Sequence, residues 1–410
     1  MIELLKEMTQ SNLGYKIRSR GDCEKLSELI LIKTAKEISY NTLRRFFGIS
    51  KGTTPQLKTL NTLAQFNGFP SFAEFTIHYP NRFSWSLREK AYKLINQENK
   101  TELVNFLNNL EEIQKDVLDL IVSIIRELII NKEIRILKEL FNLELFNPNK
   151  TNYSELLHIG NSVGLLFRKQ QIDYLEFKNC MYFTSTMFTL FVDYSSLNRN
   201  YGKFSQYIYK TTNEKELKLF SGLVLQLKNL LNNKTTINNF QHMISKQTHP
   251  ILLSRYMSIY ILNLEKQQMI EALDSYKKEY CKANNLEHIY ELMFTSILTK
   301  NFELMKWLTI NFKVNQTSSN NYSEWYNSLF KLVNLFLDFY NKKNSSAKKQ
   351  MTLLENFTIR YSYESFIEIF ICTINYHLKI EQEKQLKRYL KIRDELKYPY
   401  FSNNYLINYF

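Results

Sequence analysis

The chain has 410 residues, which points to several domains or an extended array, because single cores stop growing at about 250–300 residues. Glycine (9) and proline (6) are too scarce for a β-rich fold, which needs turn residues every ~8–12 positions. The formal charge of +14, from 54 Lys+Arg against 40 Asp+Glu, suits nucleic acid or another anionic partner, and equally suits a chain with a general Lys/Asn/Ile bias.

Residues 1–79 hold five of the nine glycines, which implies short helices and tight turns. Ile2 to Met8 can form a first helix. Asp22 is placed to cap a helix from Cys23 to Lys33, with Leu26, Leu29 and Ile30 inward. Ser39 caps a short helix, Tyr40 to Phe47, with Gly48 where a C′ glycine belongs. Pro55 falls at the first turn of the next helix, whose stripe is Leu57, Leu60, Leu63 and Ala64 and which Gly68 ends. Ser71 caps a last turn, Phe72 to Phe75. From His78 to Ser86 a boundary is expected: Pro80 and Asn81 interrupt any helix, and Tyr79, Phe83 and Trp85 can pack one part on the other.

Beyond that boundary the 3.6-residue periodicity predicts helices to the end, with breaks near residues 147–149, 195–200, 232–236, 313–322 and 341–346. Residues 267–283, 286–299 and 301–312 resemble tetratricopeptide packing, with Ala272, Tyr276, Tyr280, Tyr290 and Leu298 at interlocking positions. The full repeat consensus is absent. The expected class is therefore all-α: a small module over 1–79, then a TPR-like α-solenoid over 80–410.

Residues 26–75 read as one unit of helix, turn, short helix, loop and helix. The order resembles the helix-turn-helix of the Cro/C1-type repressors, in which a buried aliphatic and a Ser precede the recognition helix, as Ile38 and Ser39 do here. Pro55, Thr59, Leu60, Leu63, Ala64 and Gly68 match the segment that follows that helix in the family. The turn from Thr34 to Glu37 is longer than the family's and lacks its glycine. The residues point the same way by themselves. Asn41, Arg44 and Arg45 share a face opposite Leu43, Phe46 and Phe47. Arg suits guanine O6/N7 and Asn suits adenine N6/N7. No Asp or Glu occurs from Ile38 to Ala73, as expected of a surface facing phosphates. The expected DNA-binding set is Ser39, Tyr40, Asn41, Thr42, Arg44, Arg45, Lys51 and Lys58, with Lys51, Thr53 and Thr54 holding phosphates. In layout the chain resembles peptide-sensing transcriptional regulators, which implies double-stranded DNA as partner, a peptide or protein ligand in the array, and a homodimer.

Other features carry less. Cys23, Cys180, Cys281 and Cys372 are far apart, with neither a disulfide nor a zinc pattern. The six histidines form no metal motif, although His242 and His249 are seven apart. Gly160 and Gly164 lack a following Gly-Lys-Ser/Thr and suit close helix packing. No nucleophile–base arrangement can be assembled, so neither an enzyme nor a cofactor is expected. Residues 342–349 read as a basic inter-helix loop. The aromatic tail from Tyr398 to Phe410 suits packing on the last helices or docking of a second subunit. The run from Val117 to Ile130 is too short and too charged to span a bilayer, and a cytoplasmic location is expected. The rival functions are a protein-interaction scaffold that binds no DNA and an RNA-binding helical repeat.

Overall fold

In the computed structural model the described residues are 2–50, 55–78, 82–96, 101–108, 115–281, 285–313, 323–353 and 361–410. Among them every regular element is helical and none is a strand. The chain divides into two compact units, Met1–Ile124 and Ile125–Phe410.

The first unit contains α1 (Ile2–Leu13), α2 (Arg20–Thr34), α3 (Tyr40–Phe46), α4 (Leu57–Phe66), α5 (Phe72–His78), α6 (Arg82–Ile95) and α7 (Thr101–Asn108). Its main core joins Leu5 of α1, Leu26 and Ile30 of α2, Leu43 and Phe46 of α3, Leu63 of α4 and Phe75 of α5. A buried polar bridge ties α1 to α4. Asn67 Nδ2 donates to Thr9 Oγ1 at 2.8 Å and to the Leu63 carbonyl at 2.8 Å, and Asn12 Nδ2 donates to Asn67 Oδ1 at 2.7 Å.

Several local expectations are corrected. Helix α2 begins at Arg20, with Ser19 as N-cap; Asp22 closes a capping box from inside the helix. The Asp22 carboxylate accepts from the backbone N–H of Arg18 (3.0 Å) and Ser19 (2.8 Å). Those bonds, first of all the one from Arg18, hold its pKa below the usual carboxylate value. Leu29 and Leu57 do not face inward: they are 41% and 65% exposed. Pro55 precedes the Gln56 N-cap of α4 instead of sitting in its first turn. Gly48 (φ 77°) and Gly68 (φ 91°) do take the left-handed conformation after α3 and α4. Tyr79, Pro80 and Asn81 of the expected boundary, and the side chains of Phe83 and Trp85, lie outside the described residues. Helix α8 is Lys115–Ile130.

The second unit holds α9 (Ile134–Leu140), α10 (Tyr153–Gln170), α11 (Asn200–Thr211), α12 (Lys215–Leu231), α13 (Pro250–Tyr260), α14 (Lys266–Tyr280), α15 (Tyr290–Leu298) and α16 (Phe302–Asn311). It continues with α17 (Ser323–Tyr340), α18 (Asn344–Leu353), α19 (Glu364–His377), α20 (Gln382–Leu396) and α21 (Asn403–Ile407). Sequential neighbours pack as pairs, α11 on α12, α15 on α16, α17 on α18 and α19 on α20, a layout compatible with helical repeats. In the expected tetratricopeptide-like segment Tyr276, Tyr290 and Leu298 are buried, and the Tyr276 hydroxyl donates to the His288 carbonyl at 2.7 Å.

Regular periodicity does not run unbroken. Residues 171–199 form short 3-10 turns and one π-helical turn, Thr184–Phe188, around an aromatic core of Phe141, Phe167, Tyr174, Phe177, Phe183 and Phe204. Large flat rings fill the space between α10 and α11 there. Gly164 serves close packing: a Cβ would stand 2.3 Å from the Phe191 ring. The basic segment 342–349 is no simple loop, since α18 begins at Asn344 and Ala347 is fully buried. Pro250 starts α13 with His249 as its N-cap, so His242 and His249 share no helix face.

Candidate nucleic-acid interface

The path from α2 into α3 is fixed by three local devices. Ala35 ends α2 in the left-handed conformation (φ 54°). The Ser27 hydroxyl, on α2, donates to the Ile38 carbonyl at 2.6 Å and ties the linker to the helix it leaves. Ile38, 5% exposed, plugs the core just before the next helix. Ser39 then caps α3: its Oγ accepts from the Thr42 N–H at 3.3 Å and stands 3.0 Å from Thr42 Oγ1. The Ser39 hydroxyl is engaged in capping and the Thr42 hydroxyl is hydrogen-bonded to it, so both residues shape the helix first.

Leu43 and Phe46 anchor the inner side of α3, with Phe47 edge-on to Phe46 at 5.1 Å between centroids. Asn41 and Arg45 are exposed. Arg44 is half-buried, its Nη1 donating to Asn41 Oδ1 at 3.3 Å, while its Nε is shielded from solvent with no hydrogen-bond acceptor. Arg44 and Asn41 are thus coupled, and Arg45 stands exposed on the same short helix. A guanidinium whose Nη1 is held by one long amide contact keeps its other Nη donors for an incoming acceptor. Gly48 ends the helix, and the N–H of Ile49 reaches back to the Arg44 carbonyl at 2.8 Å.

The other expected residues separate. Lys58 is exposed on α4, a different helix, though α3 and α4 both pack on α2. Lys51, Thr53 and Thr54 lie outside the described residues. Tyr40 is half-buried beneath the Arg20 guanidinium, 4.8 Å from the ring centroid. The sequence reading missed Arg20. The signal was an aromatic first residue of α3 and an arginine opening α2, which become neighbours only once the two helices pack. Carboxylates are close by on α2: Glu24 is held by Arg20 at 2.8 Å. Glu37 is exposed just ahead of Ser39.

The second unit has its own cluster of ionisable groups, deep inside. Arg255 of α13 and Glu291 of α15 are 5% and 3% exposed and pair at 2.5 Å. Tyr363 donates to Glu291 Oε1 at 2.6 Å, and its hydroxyl lies 2.8 Å from that of Tyr194. Arg255 Nη2 also donates to the Tyr194 hydroxyl at 2.9 Å. Burial opposes the Arg255 charge, but Glu291 and the two tyrosines outweigh it and hold the guanidinium protonated. Burial likewise pushes the Tyr363 hydroxyl far up, so it stays a donor. Their hydrogen bonds run chiefly among themselves, an arrangement that fastens helices.

No helix among the described residues is long and apolar enough to cross a membrane, and no group of three or more His, Cys, Asp or Glu among them is placed to hold a metal ion. Comparison with known proteins finds no matching family model, curated protein or solved structure.

Proposed function

We propose that the chain is a DNA-binding transcriptional regulator of the cytoplasm. Residues 1–79 form the helix-turn-helix-like module. Residues 80–410 form a TPR-like solenoid that carries homodimerisation and the sensing of a peptide or protein ligand. The observation that carries this reading is the outer side of α3, where Asn41 and Arg45 are exposed and half-buried Arg44 is bonded to Asn41, on a short helix whose other side is locked into the core. The cap at Ser39, the buried Ile38 and the carboxylate-free sequence from Ile38 to Ala73 support it. Arg45 is the free reader. Arg44 reads together with Asn41, since rotating one side chain releases the other.

The test is selection of duplex sites from a random library with the full chain, then titration of the selected site against an Arg44→Ala/Arg45→Ala variant. Loss of one bidentate base contact costs about 1–3 kcal/mol, so the variant is expected to bind more than tenfold more weakly. Retention of full affinity refutes the assignment.

A further inference from the structure

Helix α20 packs on α19 and buries Gln385, Tyr389, Ile392 and Leu396. Another face carries Lys384, Lys387, Arg388 and Lys391, at i, i+3, i+4 and i+7, every one exposed. Lys384 reaches Glu381 at 2.8 Å and Arg388 reaches Glu368 at 2.9 Å, with the two cationic side chains still 73% and 51% exposed. Lys387 and Lys391 form no ion pair among the described residues.

We propose that this stripe is a separate nucleic-acid contact surface that grips the phosphodiester backbone without reading bases. It does not depend on the reading of α3. Seven residues of helix advance about 10.5 Å, and one strand of a duplex carries a phosphate every ~3.4 Å of axis. The stripe thus faces about three phosphates of one strand. Lysines dominate it, and a lysine is a mobile point charge suited to phosphate oxygens and poorly suited to a bidentate base edge. Exposed pairs such as Lys384–Glu381 are weak, so a line of phosphates can displace single carboxylates. Acidic residues bound the stripe at both ends: Glu381 and Glu383 before it, Asp394 (held by Arg393 at 2.7 Å) and Glu395 after it. They confine the contact to two helical turns. An acidic peptide would need carboxylates in one matching register, whereas a phosphodiester strand offers evenly spaced charge in every register.

The experiment titrates the full chain and a Lys387→Gln/Lys391→Gln variant with mixed-sequence duplex DNA and single-stranded RNA, each about 30 nucleotides long, over a range of salt. Each phosphate contact contributes ~0.9 to the slope of log affinity against log salt for duplex DNA and ~0.7 for single strands. Loss of two contacts should therefore flatten the slope by about 1.8 on DNA or about 1.4 on RNA, with a several-fold loss of affinity at low salt. The probe that shows the loss identifies the natural backbone. Unchanged far-UV circular dichroism verifies folding, expected because both lysines are exposed. The same flattening is expected in the Arg44→Ala/Arg45→Ala background, so failure of one reading leaves the other standing. Unchanged slope and affinity on both probes, or binding to neither, overturns the proposal.

Discussion

Replacing Glu291 by leucine should destabilise the C-terminal unit by about 3–5 kcal/mol, the usual result of stranding one partner of a buried ion pair. The structure sets the size. Arg255 is 5% exposed, and among the described residues its Nε has no acceptor and its Nη2 donates to Glu291 and the Tyr194 hydroxyl. Without the carboxylate, a full positive charge remains in the interior against one phenol oxygen and the Phe220 ring, 5.1 Å away. At about 2–4 °C per kcal/mol for a domain of this order of size, the calorimetric midpoint should fall by roughly 6–20 °C. The double variant Arg255→Met/Glu291→Leu removes both charges and should recover most of the loss, because the pair's attraction and its desolvation nearly cancel. The tyrosine hydroxyls still have each other at 2.8 Å. A single variant within about 1 kcal/mol of the parent, or a double variant no better than the single one, would refute this account of the fastener.

Two further outcomes follow from buried groups in the same unit. Asp193 is 1% exposed, and burial, its largest influence, raises its pKa despite hydrogen bonds from Ser195. A raised carboxyl pKa favours folding below the unfolded value, and that contribution is lost as pH rises through the folded value. Asp193→Asn should therefore gain stability over the parent at neutral pH, with the difference shrinking as pH falls; urea midpoints of the two proteins that run parallel across pH 4–8 would contradict this. Gly202→Ala should lower the melting midpoint sharply, because a Cβ there would stand 1.6 Å from the Leu197 carbonyl oxygen; an unchanged midpoint in a thermal melt would show that the turn before α11 yields.

The all-helical character was legible because it depends on composition and on 3.6-residue spacing. The positions of Ser39, Gly48 and Gly68 were legible because capping is local chemistry. Leu29 and Leu57 were not: each fits a helical stripe, and only the docking angle of α2 and α4 decides that its side chain faces water. Residues 171–199 misled for a related reason. Their aromatic residues recur at spacings that suit a helix, yet the rings pack against one another across short turns. The stacking of Arg20 on Tyr40 and the meeting of Arg255 with Glu291 join residues far apart in sequence, and no spacing rule brings such pairs together. On α3, the coupling of Asn41 to Arg44 follows from their i, i+3 spacing, whereas the half-burial of Arg44 could not be read from it.

The aromatic tail packs on its own chain, the first of the two readings that the sequence left open. Tyr398, Phe401, Tyr405, Leu406 and Tyr409 are all 5% exposed or less, within their own chain. The last carbonyls of any helix lack partners inside that helix. At the end of α15 those of Ile297 and Leu298 accept hydrogen bonds from tail hydroxyls, Tyr409 on Ile297, and Tyr400 (3.2 Å) and Tyr405 (3.1 Å) on Leu298. Lys300 completes the exchange by donating to the carbonyls of Tyr405 (3.1 Å) and Asn408 (2.8 Å), over the Tyr405 and Tyr409 rings. The tail thereby supplies hydrogen bonds to the Leu298 carbonyl and adds one to that of Ile297, which the Lys300 N–H also reaches at 3.2 Å, and α15 gives the tail's phenols their acceptors. The buried rings and the hydroxyls bonded to α15 are committed within the chain, whereas Ile407, 51% exposed, faces outward from the same segment. Shortening the tail would strip buried rings and helix-end hydrogen bonds from the fold, so a loss of assembly on truncation would not by itself identify the tail as a dimer contact.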